Sequence, residues 1–464
     1  MGHPDMVVVS NRGPLNFTTG SNGERKTTRG AGGLVSSLGP AVVGTGATWV
    51  AAAISEEDRR AAAEGVVEAK GFRVRSLALD PADYRRYYDT VANATLWFLN
   101  HGLFDLPRRP RIDRHWHEAW TTFRDVNHRF AEVVAEEAPD NGTVIVHDYH
   151  LPLLGPTLAA ERPDLRTAYF HHTPFCEPSA LRVLPDAVAA ELLAGMAGYG
   201  ACGFHSRRWA EAFEACALTG LGWTPATFVS PAAVDAEALA EVAASPECDA
   251  ELDQLNELIG DRKALVRVDR IEPSKNLLRG FLAFEALLES QPHWRERVVF
   301  VASVYPSRDK LPEYLAYRSE VEALVERLNT AWRTPSWTPV VLDTDDSFPR
   351  SAAALRRADV LLVNPVRDGL NLVAMEGSLL NECNGVLVLG REAGVWDVLG
   401  EAAVGVNPFD VSATAAALHR ALSMGAAERA SRSAALRAAS RRRKPQDWLA
   451  DQLAAATAPA RAAR

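Results

Sequence analysis

The sequence predicts an α/β protein of two doubly wound domains, each a mainly parallel sheet with helices on both faces. Three observations carry that expectation. Short apolar, β-branched runs alternate with longer amphipathic stretches along most of the chain, the pattern of βαβ units buried on both faces. The 464 residues exceed one ordinary core, so two or three domains are expected. Polar residues also gather just past the predicted strand ends, where open α/β sheets bind ligands.

The strands expected in order are 6–10, 48–52, 144–148, 168–172, 264–270, 298–304, 340–343, 360–364 and 386–389. Each is a short run such as Val7-Val-Val, Val144-Ile-Val or Val360-Leu-Leu-Val, too short for a helix and rich in β-branched residues. Helical patterns fill the intervals 116–137, 185–197, 207–217, 277–290, 311–332 and 371–380. A polar, acidic stretch over 236–261 marks a change in composition. The expected domains are therefore 1–235, 236–440, and a terminal segment 441–464. That last segment is rich in Ala and Arg but carries Trp448, Leu449 and Leu453, so it is expected to form a helix that docks back on the N-terminal domain.

The bulk numbers exclude several classes. A net charge of −9 argues against a general nucleic-acid binder. Five cysteines form no Cys-x-x-Cys pair, which favours a reduced cytoplasm and disfavours structural zinc. No apolar run reaches the ~18 residues that span a bilayer, and no signal-like N-terminus is present. The expectation is a cytoplasmic enzyme with no membrane partner, and the sequence leaves self-association open.

The candidate site is read from residue types at strand ends. Val268-Asp-Arg-Ile-Glu-Pro-Ser-Lys275 supplies two cations, Arg270 and Lys275. Arg367-Asp-Gly-Leu-Asn-Leu-Val-Ala-Met-Glu376 supplies Asp368, a glycine turn, a helix N-terminus and a second acid, Glu376. Cations and helical amides suit a diphosphate, and a carboxylate farther along suits ribose hydroxyls. Together they read as a nucleotide-sugar site. On the first half, Ser10-Asn-Arg12, His147-Asp-Tyr-His150 and His171-His172 end strands. Asp148 and His172 are read as partners of sugar hydroxyls; the plainer reading has them tie strand ends to backbone. A metal site is disfavoured, because adjacent histidines on a strand point to opposite faces. A hydrolase triad is discounted for want of a Gly-x-Ser-x-Gly elbow. Gly30-Ala-Gly-Gly33 is a weak phosphate-loop signal that gains force beside Arg12. Tyr88 and Trp97 flank Asn93-Ala-Thr-Leu-Trp97, and such aromatics are more often core, but can wall a phosphate site.

These residues together resemble the trehalose-6-phosphate synthase family, retaining glucosyltransferases of GT-B fold. The resemblance runs from Val7-Val-Val-Ser-Asn-Arg12 to Val406-Asn-Pro-Phe-Asp410 and includes His147-Asp-Tyr-His-Leu151, His172-Thr-Pro-Phe175 and Ser307-Arg308. It implies two domains facing a cleft and synthesis of α,α-trehalose 6-phosphate from a nucleoside-diphosphate glucose and glucose 6-phosphate. It further implies that Arg12, Tyr88, Trp97 and Arg308 hold the acceptor phosphate, with Gly33 and Asp148 at the acceptor sugar. His172 and Asp368 fall at the donor glucose, Arg270 and Lys275 at the diphosphate with Asn371, Leu372 and Val373, and Glu376 at the ribose. Transfer would proceed on the front face, with no metal or other cofactor.

The chain departs from the family's commoner Arg-Leu-Asp-Tyr-Ser-Lys-Gly at Arg270-Ile-Glu-Pro-Ser-Lys-Asn276, and at Cys176, Glu177 and Ala233. These departures resemble actinobacterial branches and open the choice of donor base. Asn364 offers a donor and an acceptor to a nucleobase edge, which tilts the expectation from UDP-glucose towards GDP-glucose. Other readings of the same site are a glucosylglycerol-phosphate synthase, a cyclitol-coupling pseudo-glycosyltransferase and a non-catalytic sugar-phosphate sensor.

Overall fold

The computed structural model describes residues 3, 5–19, 24–30, 32–308 and 310–457. The chain divides into two compact units, the first made of the described residues of Met1–Ala232 and Pro445–Arg464, the second Ala233–Lys444.

The first unit is built on β1 (Met6–Ser10), β2 (Leu15–Thr19), β3 (Arg25–Arg29), β4 (Thr48–Ala53), β5 (Val66–Ala69), β6 (Phe72–Ala78), β7 (Thr143–His147), β8 (Arg166–His171), β9 (Ala201–Phe204) and β10 (Thr227–Val229). Eight of these form one sheet in the order β10-β9-β8-β7-β1-β4-β6-β5, while β2 and β3 make a separate antiparallel hairpin. All pairs in the large sheet are parallel except β5 with β6. The register Met6↔Thr143 and Val7↔Thr48 puts β1 at the centre, and its residues are buried throughout, as a strand covered on both faces requires.

The second unit holds β11 (Lys263–Ile271), β12 (Val298–Pro306), β13 (Val340–Asp343), β14 (Val360–Val363), β15 (Val386–Gly390) and β16 (Val404–Val406). They form a six-stranded parallel sheet in the order β13-β12-β11-β14-β15-β16. In each sheet the strand order reverses once. The chain moves outward from β1 through β4, then restarts at β7 on the other side; in the second unit β11 and β14 play the same parts. Ligand crevices of doubly wound sheets open at such switch points.

The terminal helix Pro445–Thr457 belongs to the first unit, packing on helix Gly33–Val42 and on β7, β8 and β9. Trp448 is its anchor, fully buried, with Leu449 beside it. The expected docking of this segment on the N-terminal domain is met. Residues Arg86–Trp97 form a π-helix of 12 residues, continued from helix Pro81–Arg85. Its backbone pairing is i→i+5, and the Thr95 hydroxyl also donates back to the Thr90 carbonyl at 2.9 Å. No helix among the described residues is long and apolar enough to cross a membrane.

Candidate active site

In the first unit, the chain leaving β1 and the chain leaving β7 flank the switch point. The end of β1 is fixed by Ser10, whose hydroxyl donates to the Arg12 carbonyl at 2.6 Å and accepts from the Trp49 indole at 2.8 Å. Arg12 is thereby presented at the surface, and its Nη2 donates to the Tyr88 hydroxyl at 3.4 Å. The Tyr88 ring is stacked between Tyr84 and His150, with centroids 5.2 and 5.4 Å away. Asp148 follows β7 directly with φ 76°, a left-handed conformation that Asp tolerates through local hydrogen bonds. Its Oδ1 accepts the Tyr149 amide at 2.9 Å, and its Oδ2 lies 3.6 Å from His150 Nδ1. Arg12, Tyr88, His150 and Asp148 thus form one continuous cluster.

Trp97 ends the π-helix that carries Tyr88. It is 2% exposed and packs on Phe98 and His101, with centroids 5.1 and 4.2 Å away, so its ring is part of the core. Gly33 opens helix Gly33–Val42 behind Gly32 at φ 120°; no side chain caps this end, so by position its first amides lack helical acceptors. Ala31 of the same loop lies outside the described residues.

His172 sits in a row of three imidazoles. His205 Nε2 is 3.2 Å from His172 Nδ1, and His172 Nε2 is 3.0 Å from His147 Nδ1. The Ala232 amide, which can only donate, lies 3.3 Å from His205 Nδ1. That contact fixes the direction of the row. His205 carries its proton on Nε2 and gives it to His172 Nδ1; His172 carries its own on Nε2, towards His147. Burial first, then the neighbouring imidazoles, holds His172 well below its ordinary pKa and His147 down to about 3. His147 and His172 are therefore neutral at pH 7. Trp448 closes it, with centroids 5.8, 5.6 and 6.0 Å from His147, His172 and His205. The nitrogens face one another rather than a common ion, and no group of three or more His, Cys, Asp or Glu among the described residues is placed to hold a metal.

In the second unit, β11 delivers Arg270 and then Lys275, and β14 delivers Asp368. Lys275 Nζ is 2.6 Å from Asp368 Oδ2 and 3.9 Å from Asp269 Oδ1. Burial alone would depress the Lys275 ammonium, but Asp368 and Asp269 outweigh it and hold its pKa above the ordinary value. Fully buried Arg267 braces this corner. Its Nε donates to Asp269 at 2.9 Å, its Nη1 to Asn364 Oδ1 at 2.8 Å, and its Nη2 to the Lys275 carbonyl. Gly280 makes the room, since a Cβ there would lie 2.5 Å from Arg267 Nη1.

Asn371 caps helix Leu372–Leu380 from the left-handed region, φ 87°. Its Oδ1 accepts the Ala374 amide at 3.1 Å, and its Nδ2 donates to Asp368 Oδ2 at 3.1 Å. The amides of Leu372 and Val373 remain as helix-end donors by position. Four residues on, half-buried Glu376 is pushed up by burial to about 7. Arg308 takes φ 49° and donates to the Tyr314 hydroxyl. The second unit thus brings together Arg270, Lys275, Asp368, Asn371 and, through Glu272, Arg308.

Asn364 is placed differently from the base-reading role expected of it. It has no exposed surface, and its Oδ1 is taken by Arg267 while its carbonyl accepts from Asn276 at 2.9 Å. It braces β14. Reading residue types at strand ends also missed His205, because β9 is only Ala201-Cys-Gly-Phe204 and does not look like a strand. The available signal was a histidine directly after a short apolar run. Buried Arg267, Asp269 and Glu272 were missed too, hidden inside or beside a strand pattern that suggests only core.

The profile of Glycosyltransferase family 20 matches residues 4–458. A bifunctional trehalose-6-phosphate synthase/phosphatase of Thermoproteus tenax is 32% identical over 398 residues, 82% of this chain and 53% of that protein. The chain thus spans about half the length of that curated relative. A trehalose-6-phosphate synthase of Mycolicibacterium smegmatis, an actinobacterium, is 30% identical over 94% of this chain and 89% of its own. Among solved structures, an α,α-trehalose-phosphate synthase (UDP-forming) of Burkholderia xenovorans in complex with glucose 6-phosphate superposes with a TM-score of 0.85 at 28% identity, covering 98% of this chain and 100% of that one. With the profile matched over nearly its whole length, the chain belongs to glycosyltransferase family 20.

Proposed function

We propose that the protein transfers glucose from a nucleoside-diphosphate glucose to glucose 6-phosphate with retention, making α,α-trehalose 6-phosphate. The observation that carries this reading is the corner formed by Lys275, Asp368 and the Asn371-capped helix end at the switch point of the second sheet. It joins a cation to a carboxylate at 2.6 Å and ties that carboxylate at 3.1 Å to the residue capping a helix N-terminus, and a cation, a carboxylate and helix-end amides are the requirements of a sugar diphosphate. The names of the similar proteins and the glucose 6-phosphate in the Burkholderia structure support the substrates.

On this reading most acceptor ligands come from the first unit and most donor ligands from the second. Arg270, Lys275 and the amides of Leu372 and Val373 bind the diphosphate and stabilise the charge that grows on it as the anomeric C–O bond breaks. Asn371 holds Asp368 in place, and Asp368 with His172 engages the donor glucose. Glu376 accepts from the ribose. Arg12, Tyr88 and Arg308 bind the acceptor phosphate, Trp97 supports that wall from the core, and Asp148 with the Gly33 edge orients the acceptor sugar. The attacking hydroxyl forms the new bond on the face the diphosphate leaves, and its proton passes to a diphosphate oxygen. The chain's part is positioning and charge, without a covalent nucleophile. UDP-glucose is preferred over GDP-glucose, since the residue that favoured guanine, Asn364, is enclosed. The site chemistry needs no metal or other cofactor, and a cytoplasmic setting fits these substrates.

The test is a nucleoside-diphosphate-release assay without added metal, pairing UDP-, GDP- and ADP-glucose with glucose 6-phosphate or glycerol 3-phosphate. Release that depends on glucose 6-phosphate, with a disaccharide phosphate found by mass spectrometry, is expected. Release only with glycerol 3-phosphate, or none with any pair, overturns the reading.

A further inference from the structure

Glu272 is 1% exposed, and its carboxylate lies against Arg270 and Arg308, two cations proposed to bind phosphate. Its Oε1 forms an ion pair with Arg270 Nη1 at 2.9 Å, accepts from the Ser307 hydroxyl at 2.7 Å, and lies 3.9 Å from Arg308 Nη1. Its own carbonyl accepts the Lys275 amide at 3.0 Å. Asp359 in the same unit shows what a structural buried carboxylate looks like. It is enclosed by Lys263, Arg357 and Arg429 at 2.9, 2.9 and 3.1 Å, none of which is among the proposed ligand-binding residues. Glu272 instead shares one oxygen between two cations proposed to bind different substrates.

We propose that Glu272 is a positioning residue that aligns Arg270 and Arg308 together, so that one buried carboxylate sets the cation for the donor diphosphate and the cation for the acceptor phosphate. This rests on the roles assigned above to the two arginines. Two guanidinium groups this close repel each other, and Arg270 is a long side chain, 43% exposed, with many rotamers open to it. A shared anion removes both problems before substrate arrives. It cancels the repulsion and holds each fork at a fixed distance from the other. The burial that would raise the Glu272 pKa is overcome by Arg270 and Arg308, which hold it at about 2, so the anion is present at all working pH values. The Ser307 hydroxyl, one residue before Arg308, ties the same oxygen to the backbone that carries the second cation.

The test compares the full-length wild type with Glu272→Gln and Glu272→Asp. Calorimetry measures UDP and glucose 6-phosphate binding separately, kinetics gives both KM values and kcat, and a thermal melt reports folding. Glu272→Gln keeps the shape and removes the charge, so both ligands are expected to weaken about tenfold or more. Glu272→Asp keeps the charge and is expected to recover much of that loss for both. Lowered melting temperature with both affinities unchanged overturns the proposal, and so does an effect confined to one ligand. Should Glu272→Gln not fold, Glu272→Asp decides by the same criterion, with its shorter reach weakening both ligands together. A wild type that binds both ligands but forms no disaccharide sinks the assigned reaction alone, leaving the Glu272 comparison valid. One that binds neither removes both.

Discussion

Lys275 Nζ and Asp368 Oδ2 meet at 2.6 Å although 93 residues of sequence separate them. The ammonium proposed to receive the donor diphosphate is held by an acid of the same proposed site. A carboxylate in that position competes with an incoming anion for the same charge, while the hydrogen bond from Asn371 fixes it for the role proposed at the sugar.

Asp368→Asn separates those two effects. It is expected to bind UDP at least as tightly as the wild type, because Lys275 no longer has a competing anion, yet to lose about 100-fold in kcat through misplacement of the glucosyl group. Calorimetry with UDP and turnover with UDP-glucose check the two halves. Weakened UDP binding with turnover preserved contradicts both.

Glu376, raised to about 7 by burial, should give the proposed donor site a pH dependence. In the empty enzyme the carboxyl is protonated below that value and ionised above it. Ribose hydroxyls donating to it favour the ionised form, so affinity should rise as pH increases from 6 to 8 and fall as protons return. UDP-glucose is the ligand to use, because its diphosphate is a diester of constant charge over this range. Glu376→Gln should flatten the profile; an unchanged slope in that variant assigns the dependence elsewhere.

The directed row of imidazoles makes His205 a determinant of which nitrogen His172 protonates. His205→Phe keeps an aromatic ring against Phe170 and Trp448 but removes the donor. Turnover should fall about tenfold, the scale of one hydrogen bond. His205→Gln, with an amide donor, should restore part of it. Equal loss in both variants makes His205 a packing residue only.

The terminal helix tests how far the first unit depends on the last residues of its chain. Trp448→Ala removes a fully buried ring from against Phe170 and three histidines. It should cost about 3–5 kcal/mol, read as a lower denaturant midpoint. A shift well below that range means the helix is loosely held.

The sequence was most legible where burial on both faces left one reading of a strand. β1 and β13 match the expected bounds, and seven other expected strands recur within a few residues of theirs. It was least legible where a strand gains its identity from its neighbours. Arg25-Lys-Thr-Thr-Arg29 is polar and pairs only with β2, and Ala201–Phe204 contains a glycine that lets Phe170 and Phe228 close over it. The site shows the same division. The residues proposed to meet ligand stand at strand ends and declare themselves by charge. Those that hold them, such as Arg267, Glu272 and His205, sit in apolar surroundings and are defined by partners far away in sequence. Asn364 shows the converse, since a polar residue at a strand end can equally face inward.

The π-helix Arg86–Trp97 has a consequence for how this chain can change. An α-helix turns about 100° per residue, and the i→i+5 pairing here accommodates more residues in each turn. Tyr87, Tyr88, Asn93 and Trp97 keep their facing only at this residue count: Tyr87 in the core, Tyr88 on His150, Asn93 on the Tyr149 hydroxyl at 2.8 Å. Loss of a single residue would let the segment relax to the ordinary pitch and swing everything after it out of phase. The stretch is thus locked in length more strictly than in composition, and homologous chains should vary in letters across it long before they vary in number.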